Sequence, residues 1–507
     1  MRLGAGLLLL AAAVHAGVIQ GVALENASGR PLARTTVRLE PVPQAGGNPT
    51  GARLLQTRTS RTGTFVFLSI APGLYTIVAQ REGFLPTAFG QRRPTGQGTP
   101  VEVTAESRLF AELRMPRMGA ITGRALDENG VGIPGVPVLA YRARLPLRSV
   151  ASALSDDRGV YRIAGLPPGK YWIRSGAHTF DDGTGLLPTF GPGGREIHDA
   201  RVHEVRADAE AIEANVEPEP GALFRLSGKI TCDRPDVPYV TVTLSSETGR
   251  RSMQSLCNAS YTFEGLAPAA YEVFAVYSDD SGSGFVELQL DRDSQLGNVQ
   301  LMSAPQVEFE VRNAANGSVV KTPVSVFGRR DDLSGSDAPR QIATPRAPLP
   351  AGHWELNAIA PSGQYVQSIA GNNRDPQRPW RNEHPPEWFE VFIPQRGVSR
   401  VQITVSDQAG QIGGSVTVGG NAAPGAPVFL WPVAETARRS LAGPRQAIAD
   451  TAGKYQFDSL PPGDYRLFAS FDFSAVDLQD FDEAQAPAFT VQAGQTATAD
   501  LRVWVAP

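Results

Sequence analysis

Apolar and polar residues alternate over short stretches along most of the chain. In Tyr161-Arg-Ile163 and in Tyr455-Gln-Phe457 the apolar side chains are two residues apart, so each pair lies on one face of a β-strand. A Leu-Pro-Pro-Gly sequence follows both stretches. Proline is excluded from the middle of a sheet because it has no N–H to donate. The pattern therefore predicts short strands that are joined by proline-containing corners.

The same pattern is repeated along the chain, which predicts a tandem array. An aromatic residue is followed ten residues later by a tyrosine in four copies, and a fifth, degenerate copy ends at Trp354. We expect the second tyrosine of each copy to begin a strand, with its ring in the core and its hydroxyl at the corner backbone. The four pairs are Phe65 and Tyr75, Tyr161 and Tyr171, Tyr261 and Tyr271, and Tyr455 and Tyr465.

A strand with small residues precedes each copy and a hairpin follows it. Each repeat therefore contains about seven short strands, as a β-sandwich does. Only a few residues join one repeat to the next, so we expect five sandwiches stacked end to end in an elongated array. The predicted modules, numbered one to five, are residues 17–116, 117–222, 223–304, 305–407 and 408–507.

The N-terminal sequence predicts a secretory signal at residues 1–16. Arg2 supplies the positive charge, residues 3–14 form an apolar core, and Val14-His15-Ala16 has the small-x-small pattern of a cleavage site. The apolar run is shorter than a membrane-spanning helix requires. We expect a mature chain without a membrane span that is secreted, periplasmic or on the cell surface.

Composition narrows the possible partners. The chain has 507 residues and a net charge of −4, without a basic stripe, which argues against nucleic acid. Its only cysteines are Cys232 and Cys257, both in module three. In an oxidising compartment they are expected to form a disulfide, and two buried free thiols are the alternative.

Three motifs together resemble the carboxypeptidase regulatory-like domain. They are Gly-x-Ile-x-Gly at 119–123, Pro-Gly-x-Pro-Val at 134–138 and Gly-x-Tyr-x-Ile-x-x-Leu-Pro-Pro-Gly-x-Tyr at 159–171. The likeness is good in modules one, two and five, fair in three and weak in four. The resemblance implies an all-β chain of about five transthyretin-like, immunoglobulin-like sandwiches, grouped with carbohydrate-binding-like folds. The motif specifies a fold and not an activity.

Candidate catalytic residues do not form a recognisable site. His384-Pro-Pro-Glu387 has the His-x-x-Glu spacing of a carboxypeptidase zinc site, but no histidine follows it, and two prolines oppose the geometry that would fix the ligands. No Gly-x-Ser-x-Gly elbow is present. Acidic pairs such as Asp156-Asp157 lie in turn-like segments, where solvated carboxylates are expected and calcium binding is the alternative. We therefore expect no enzyme activity, metal or cofactor, and a secreted hydrolase ranks third among the functions considered.

The 371–388 loop of module four is the candidate binding segment because it is the longest insertion. It contains Trp380, Arg381, His384 and Trp388. An exposed tryptophan beside hydrogen-bonding side chains can stack on a sugar or bind a peptide; alternatively, both tryptophans attach the loop to their own sandwich. We expect a monomeric structural or adhesive protein with a polysaccharide or another surface protein as partner. Polysaccharide recognition through this loop is the alternative function.

Overall fold

The computed structural model describes residues 17–506 apart from 43–52, 95, 145–146, 148, 182–183, 235, 238, 248, 333–334, 337 and 374–387. Its regular structure is made of β-strands, with two short helices, α1 (Glu435–Leu441) and α2 (Leu478–Glu483), and a 3-10 turn at Ile197–Asp199. The all-β prediction is confirmed, and every described strand lies inside one of the five predicted modules. The predicted signal, residues 1–16, lies outside the described residues.

Module one shows how each sandwich is built. Its strands are β1 (Gly17–Glu25), β2 (Thr36–Pro41), β3 (Leu55–Arg58), β4 (Thr64–Ile70), β5 (Gly73–Gln80), β6 (Thr87–Ala88), β7 (Val101–Val103) and β8 (Arg108–Met115). One sheet has the order β4-β1-β8 and the other has the order β3-β2-β5-β6, with β7 also paired to β5. Strand β1 is antiparallel to β4 and parallel to β8. The inward side chains of both sheets, including Ile19, Val37 and Tyr75, form one buried core.

Modules two and three vary this plan. The strands of module two are β9 (Gly119–Arg124), β10 (Pro137–Arg142), β11 (Ser149–Leu154), β12 (Val160–Leu166), β13 (Gly169–Ser175), β14 (His178–Thr179), β15 (Gly185–Leu186), β16 (His203–Val205) and β17 (Glu210–Ala211). Those of module three are β18 (Phe224–Cys232), β19 (Tyr239–Ser246), β20 (Gly249–Leu256), β21 (Ser260–Leu266), β22 (Ala269–Tyr277), β23 (Gly282–Leu290) and β24 (Val299–Ser303). Module two has sheets β12-β9-β17 and β11-β10-β13-β16 and the hairpin β14-β15, whereas in module three all seven strands form one continuous sheet.

Modules four and five again have two sheets each. The strands of module four are β25 (Gln306–Asn313), β26 (Ser325–Asp332), β27 (Gly335–Ser336), β28 (Arg340–Ile342), β29 (Arg346–Pro348), β30 (Gly352–Ile359), β31 (Tyr365–Gly371), β32 (Phe389–Ile393) and β33 (Ser399–Ser406). Those of module five are β34 (Gly410–Val418), β35 (Asn421–Ala422), β36 (Pro427–Pro432), β37 (Arg445–Ile448), β38 (Lys454–Leu460), β39 (Gly463–Ala469), β40 (Ala488–Val491), β41 (Thr496–Thr498) and β42 (Leu501–Arg502). The central orders are β29-β25-β33-β31 and β27-β26-β30-β32 in module four, and β35-β34-β38 and β37-β36-β39-β40 in module five.

The second tyrosine of each repeat closes the corner that precedes it. Tyr171 and Tyr465 donate their hydroxyl hydrogen to the carbonyl oxygens of Pro167 and Pro461, at 2.6 Å in both cases. Tyr75 and Tyr271 make the same bond to the residue four positions earlier. In module four the indole Nε1 of Trp354 takes this role and donates to the Pro350 carbonyl at 2.9 Å. The expected position and role of these tyrosines are confirmed.

The predicted disulfide is present in module three. Cys232 ends β18 and Cys257 follows β20, and the two Cα atoms are 5.7 Å apart. This spacing lies within the range that a disulfide allows. Both cysteines pack against the core of the module.

Each module contacts the next one. The side-chain amide of Asn26 donates to Asp208 at 2.7 Å between modules one and two. Arg174 and Glu247 interact electrostatically between modules two and three. Further contacts join three to four and four to five at the site described below.

Module one also contacts module five. The backbone N–H of Gln97 donates to the carbonyl oxygen of Phe471 at 2.8 Å. In an end-to-end rod the centres of these two modules would be more than about 100 Å apart, given the size of a domain of this length. The expectation of an elongated array is therefore wrong for this structure, because the chain of modules bends back until its first and last members touch.

Candidate functional site

The predicted binding loop is only partly described. Trp380, Arg381 and His384 lie outside the described residues, so their role stays a prediction. The two flanks of the loop are described and fixed. On one side Asn373 donates its side-chain amide to Ser399 Oγ at 3.1 Å, and on the other Trp388 is buried immediately before β32.

Trp388 packs against its own sandwich. Its side chain is only 8% exposed, and the guanidinium carbon of Arg329 lies 4.7 Å from its ring centroid. Arg329 in turn donates from Nε to Glu355 at 2.7 Å. Trp388 is thereby connected to β26 and β30, which supports the packing alternative for this tryptophan.

The outer face of module four carries polar side chains that are nevertheless buried. Along β30, Trp354, Leu356 and Ala358 belong to the module core, whereas the alternating residues point to the opposite face. A strand that is buried on both faces is normally apolar on both. Here the outer residues are polar and at most 13% exposed. This group, called the polar face below, consists of Arg329, His353, Glu355 and Asn357. Arg330 is paired with Trp354 and therefore lies on the other side of β26.

Neighbouring modules contact the polar face and the adjacent Arg330. Arg330 forms an ion pair with Glu272 of module three, and its guanidinium carbon lies 3.6 Å from the ring centroid of Phe274. The amide of Asn357 donates to the carbonyl oxygen of Arg439 in α1 of module five at 2.7 Å. The polar face and Arg330 therefore lie where modules three, four and five meet.

Charge pairing explains why this face tolerates burial. A buried charge is costly unless it is paired and hydrogen-bonded, and the Arg329–Glu355 and Arg330–Glu272 pairs meet this requirement within and between modules. The ring centroids of His353 and Phe392 are 5.0 Å apart. These paired charges are better suited to holding neighbouring modules together than to catalysing a reaction.

The turn carboxylates that were considered for calcium have backbone partners. Asp156 Oδ1 accepts the backbone N–H groups of Arg158 at 2.9 Å and Val160 at 2.7 Å. Within the described ranges, no group of three or more His, Cys, Asp or Glu side chains is placed to hold a metal ion. None of the helices in the described part of the chain has the length and apolar character needed to span a bilayer.

Reasoning from the sequence did not identify the polar face. The stretch His353-Trp-Glu-Leu-Asn357 alternates polar and apolar residues, and this pattern predicts a strand with one face in solvent. The missing information is the neighbouring module, which covers the polar side. One signal lies in β22, where four consecutive residues are buried, so that neither face of the strand is exposed to solvent. They are Tyr271, Glu272, Val273 and Phe274, and Glu272 is only 1% exposed.

Comparison with known proteins finds only distant solved structures. No family model and no curated protein matches the chain. A minor pilin of Streptococcus agalactiae is similar at 12% identity and a TM-score of 0.26, over 41% of this chain and 98% of the pilin. A DUF3823-family protein from Bacteroides uniformis has 12% identity and a TM-score of 0.17, over 41% and 99%. The TIE protein of Bacillus anthracis has 13% identity and a TM-score of 0.17, over 77% and 70%.

At these identities and TM-scores the likeness carries no argument about the shape, partners or activity of this chain. The resemblance of the repeats to the carboxypeptidase regulatory-like domain stays a prediction, which rests on the sequence motifs.

Proposed function

We propose that this chain is a secreted, non-catalytic surface or periplasmic protein, in which five β-sandwiches form a scaffold that presents the 371–388 loop to a partner. The observation that carries the proposal is the fixing of both flanks of that loop. Asn373 is held on module four by its hydrogen bond to Ser399, and Trp388 is held there by its burial against Arg329. A binding loop gains affinity when its ends are fixed in advance, because less freedom is lost on binding.

The repeated residues support a structural role for the rest of the chain. Both aromatic positions of the motif face the core, and the tyrosine hydroxyls bind backbone carbonyls. Arg329 pairs with Glu355 within module four, and Arg330 pairs with Glu272 between modules three and four. These side chains stabilise the fold, which leaves the loop as the segment with functional potential.

Polysaccharide recognition is the second candidate function, and the composition of the loop favours it. Trp380 supplies a ring that can stack on a sugar face, and Arg381 and His384 supply hydrogen-bond donors. A protein partner would use the same residues as an aromatic anchor with polar contacts around it.

The test compares two tryptophan variants of the full mature chain. Trp380→Ala is expected to abolish binding to a glycan array or to intact cells without changing thermal stability. Trp388→Ala is expected to lower the stability of module four by about 3 kcal/mol, as truncation of a buried aromatic residue does. Calorimetry and the binding assay are run on both proteins.

Two outcomes contradict the proposal. Unchanged binding by Trp380→Ala would remove the loop from the interaction, and hydrolysis of a bound glycan by the wild-type protein would exclude a non-catalytic role. Binding to the array but not to deglycosylated cells selects the polysaccharide, and the reverse selects a protein partner.

A further inference from the structure

One segment of module one is shaped to lie on module five. This segment, called the closing segment, consists of residues 89–94 and 96–100. It is internally ordered by backbone hydrogen bonds, in which Gly96 donates to Arg93 at 3.0 Å and Thr99 donates to Phe89 at 2.9 Å. The segment therefore meets module five with a defined backbone conformation.

The closing segment makes polar and aromatic contacts with module five. The backbone N–H of Gln97 donates to the Phe471 carbonyl at 2.8 Å. The guanidinium carbon of Arg93 lies 5.9 Å from the ring centroid of Phe473, within the range of a cation–π interaction. Phe473 is stacked on Trp504, with centroids 5.7 Å apart and planes 10° from parallel. Arg93 therefore contacts an aromatic ring that is itself stacked on a second aromatic ring.

Charge at this contact is complementary. Burial raises the pKa of Asp480 in α2, and the positive charge of Arg93 acts in the opposite direction. Because both groups lie at the junction of modules one and five, Arg93 combines an aromatic and an electrostatic contact. Arg92, its neighbour, is exposed.

Two glycines make the fit close. A Cβ atom on Gly96 would lie 2.7 Å from the Phe471 carbonyl oxygen, and one on Gly425 would lie 2.4 Å from Pro100 Cγ. Module two offers a direct comparison, because Gly135 occupies the same place in its Pro-Gly-x-Pro motif with the same φ of +71°. There the nearest atom to an added Cβ is His178 Cε1 at 3.4 Å.

We propose that the closing segment is a docking element for module five of the same chain and holds the five modules in a closed ring in solution. The two surfaces differ, so the contact is heterologous, and such contacts close a ring or continue from copy to copy. The junctions between successive modules bring module five of the same chain to the closing segment. The partner is therefore intramolecular, and the inference is independent of the function of the 371–388 loop.

X-ray scattering with light scattering on the full mature chain tests the ring. A closed ring of five sandwiches has a radius of gyration of about 30 Å, and an end-to-end rod has one of about 50 Å, by the size scaling of globular domains. Wild type is expected to be a monomer near the lower value. Gly425→Ala is expected to raise the radius toward the upper value, because the new methyl group collides with Pro100.

Gly135→Ala is the matched control, since it introduces the same backbone strain without meeting the closing segment. It is expected to keep the wild-type radius. Equal radii for the two glycine variants would overturn the proposal. A wild-type radius near 50 Å, or a wild-type oligomer in which the contact forms between copies, would also overturn it.

A second pair of variants covers the case in which Gly425→Ala destabilises module five. Arg93→Ala removes the contact to Phe473 at a position outside the core and is expected to raise the radius, whereas Arg92→Ala is expected to leave it unchanged. If Gly425→Ala is too unstable for the scattering measurement, an unchanged radius of gyration in Arg93→Ala would overturn the proposal. Association of Gly425→Ala into concentration-dependent oligomers would support the proposal, because the released surfaces would then pair between copies.

Discussion

Glycine positions in the opening strands contribute to the fold as directly as the tyrosines do. A Cβ atom on Gly21 would lie 2.0 Å from the carbonyl oxygen of Ala111, and one on Gly414 would lie 1.9 Å from that of Ala499. These oxygens belong to the chain segment that runs parallel to the opening strand. The second glycine of the Gly-x-Ile-x-Gly motif is therefore required because the parallel segment approaches too closely for any side chain.

Gly414→Ala should destabilise module five by about 2 kcal/mol or more, the scale of overpacking in a core. Gly413→Ala is the control, because its Cβ would meet nothing nearer than the Tyr455 oxygen at 3.5 Å. That change is expected to alter stability by less than about 1 kcal/mol. Hydrogen exchange of module-five peptides measures both. Similar protection in the two variants would contradict the close-approach explanation.

Asp233 couples the stability of module three to pH. Burial acts to raise the pKa of Asp233, but hydrogen bonds from Ser303 and Tyr277 outweigh it, so the pKa is lowered. A carboxyl whose pKa is lower in the folded state stabilises the protein above its ordinary pKa, and this stabilisation is lost as pH falls through the folded value. We expect module three to lose stability below about pH 4.

Asp233→Asn should reduce this pH dependence, and urea unfolding at a series of pH values is the measurement. The loss must occur on acidification to agree with a lowered pKa. A slope of the same size in the variant would assign the acid sensitivity to other carboxyl groups.

The role of an individual side chain was predictable only for two kinds of residue. One is a residue type that is rare in this chain, such as cysteine, and the other is a residue that combines an apolar ring with a polar group, such as tyrosine. The tyrosine hydroxyl needs a partner when its ring is buried, so its position at the corner followed from the motif. In contrast, Asn215, Asn298 and Asp500 accept backbone N–H groups of the opening strands at 2.8–3.0 Å. Asparagine and aspartate are common in turns because their side chains bond to nearby backbone. Their presence in the sequence therefore does not indicate whether they make such a local bond or a long-range one.

At the scale of elements, module three combines a disulfide with a corner that has no glycine. This corner reads Leu-Ala-Pro-Ala-Ala and lacks the glycine of modules one, two and five. The bond joins residues 25 positions apart and should stabilise the module by about 3 kcal/mol in the chain-entropy model. Reduction, or replacement of Cys232 and Cys257 by alanine, is expected to lower the free energy of unfolding of module three by this amount.

Mass spectrometry of the unreduced protein after alkylation checks the bond itself, and denaturant unfolding with and without reductant checks its energy. Two alkylatable thiols in the folded protein would contradict the structure. Unchanged unfolding on reduction would show that the core of module three is sufficient without the bond.

The pairing of strands was less predictable than the strands themselves. Alternation and proline corners indicated where most strands begin and end, because these signals are local. The parallel pairing of β1 with β8, and of β25 with β33, joins segments that are far apart in sequence, and no local pattern encodes it. The burial of the outer face of β30 was not predictable for a related reason, since polar residues usually indicate solvent and here Asn357 contacts another module.

At the scale of the molecule, the arrangement of the modules was not predictable from the sequence. The prediction of five modules rests on the repeated motif. The contact between modules one and five depends on a backbone N–H, a backbone carbonyl and two glycines, at Gln97, Phe471, Gly96 and Gly425. Such groups occur throughout the chain, so they do not mark a contact in the sequence. The short connections between modules led us to expect an elongated array, but a short connection does not determine the direction in which the next module bends.

The replacement of tyrosine by Trp354 at the corner of module four has an optical consequence. The six tryptophans lie in modules two, four and five, and modules one and three contain none. Tryptophan fluorescence, excited selectively at the red edge of the absorption band, therefore does not report the unfolding of module one, which carries the closing segment, or of module three, which contains the disulfide. Within module four the indole sits against the Pro350 carbonyl and reports directly on that bend. A tryptophan placed at Tyr271 would give module three the same probe at the equivalent position, with its indole N–H aimed at the carbonyl that the native hydroxyl already contacts.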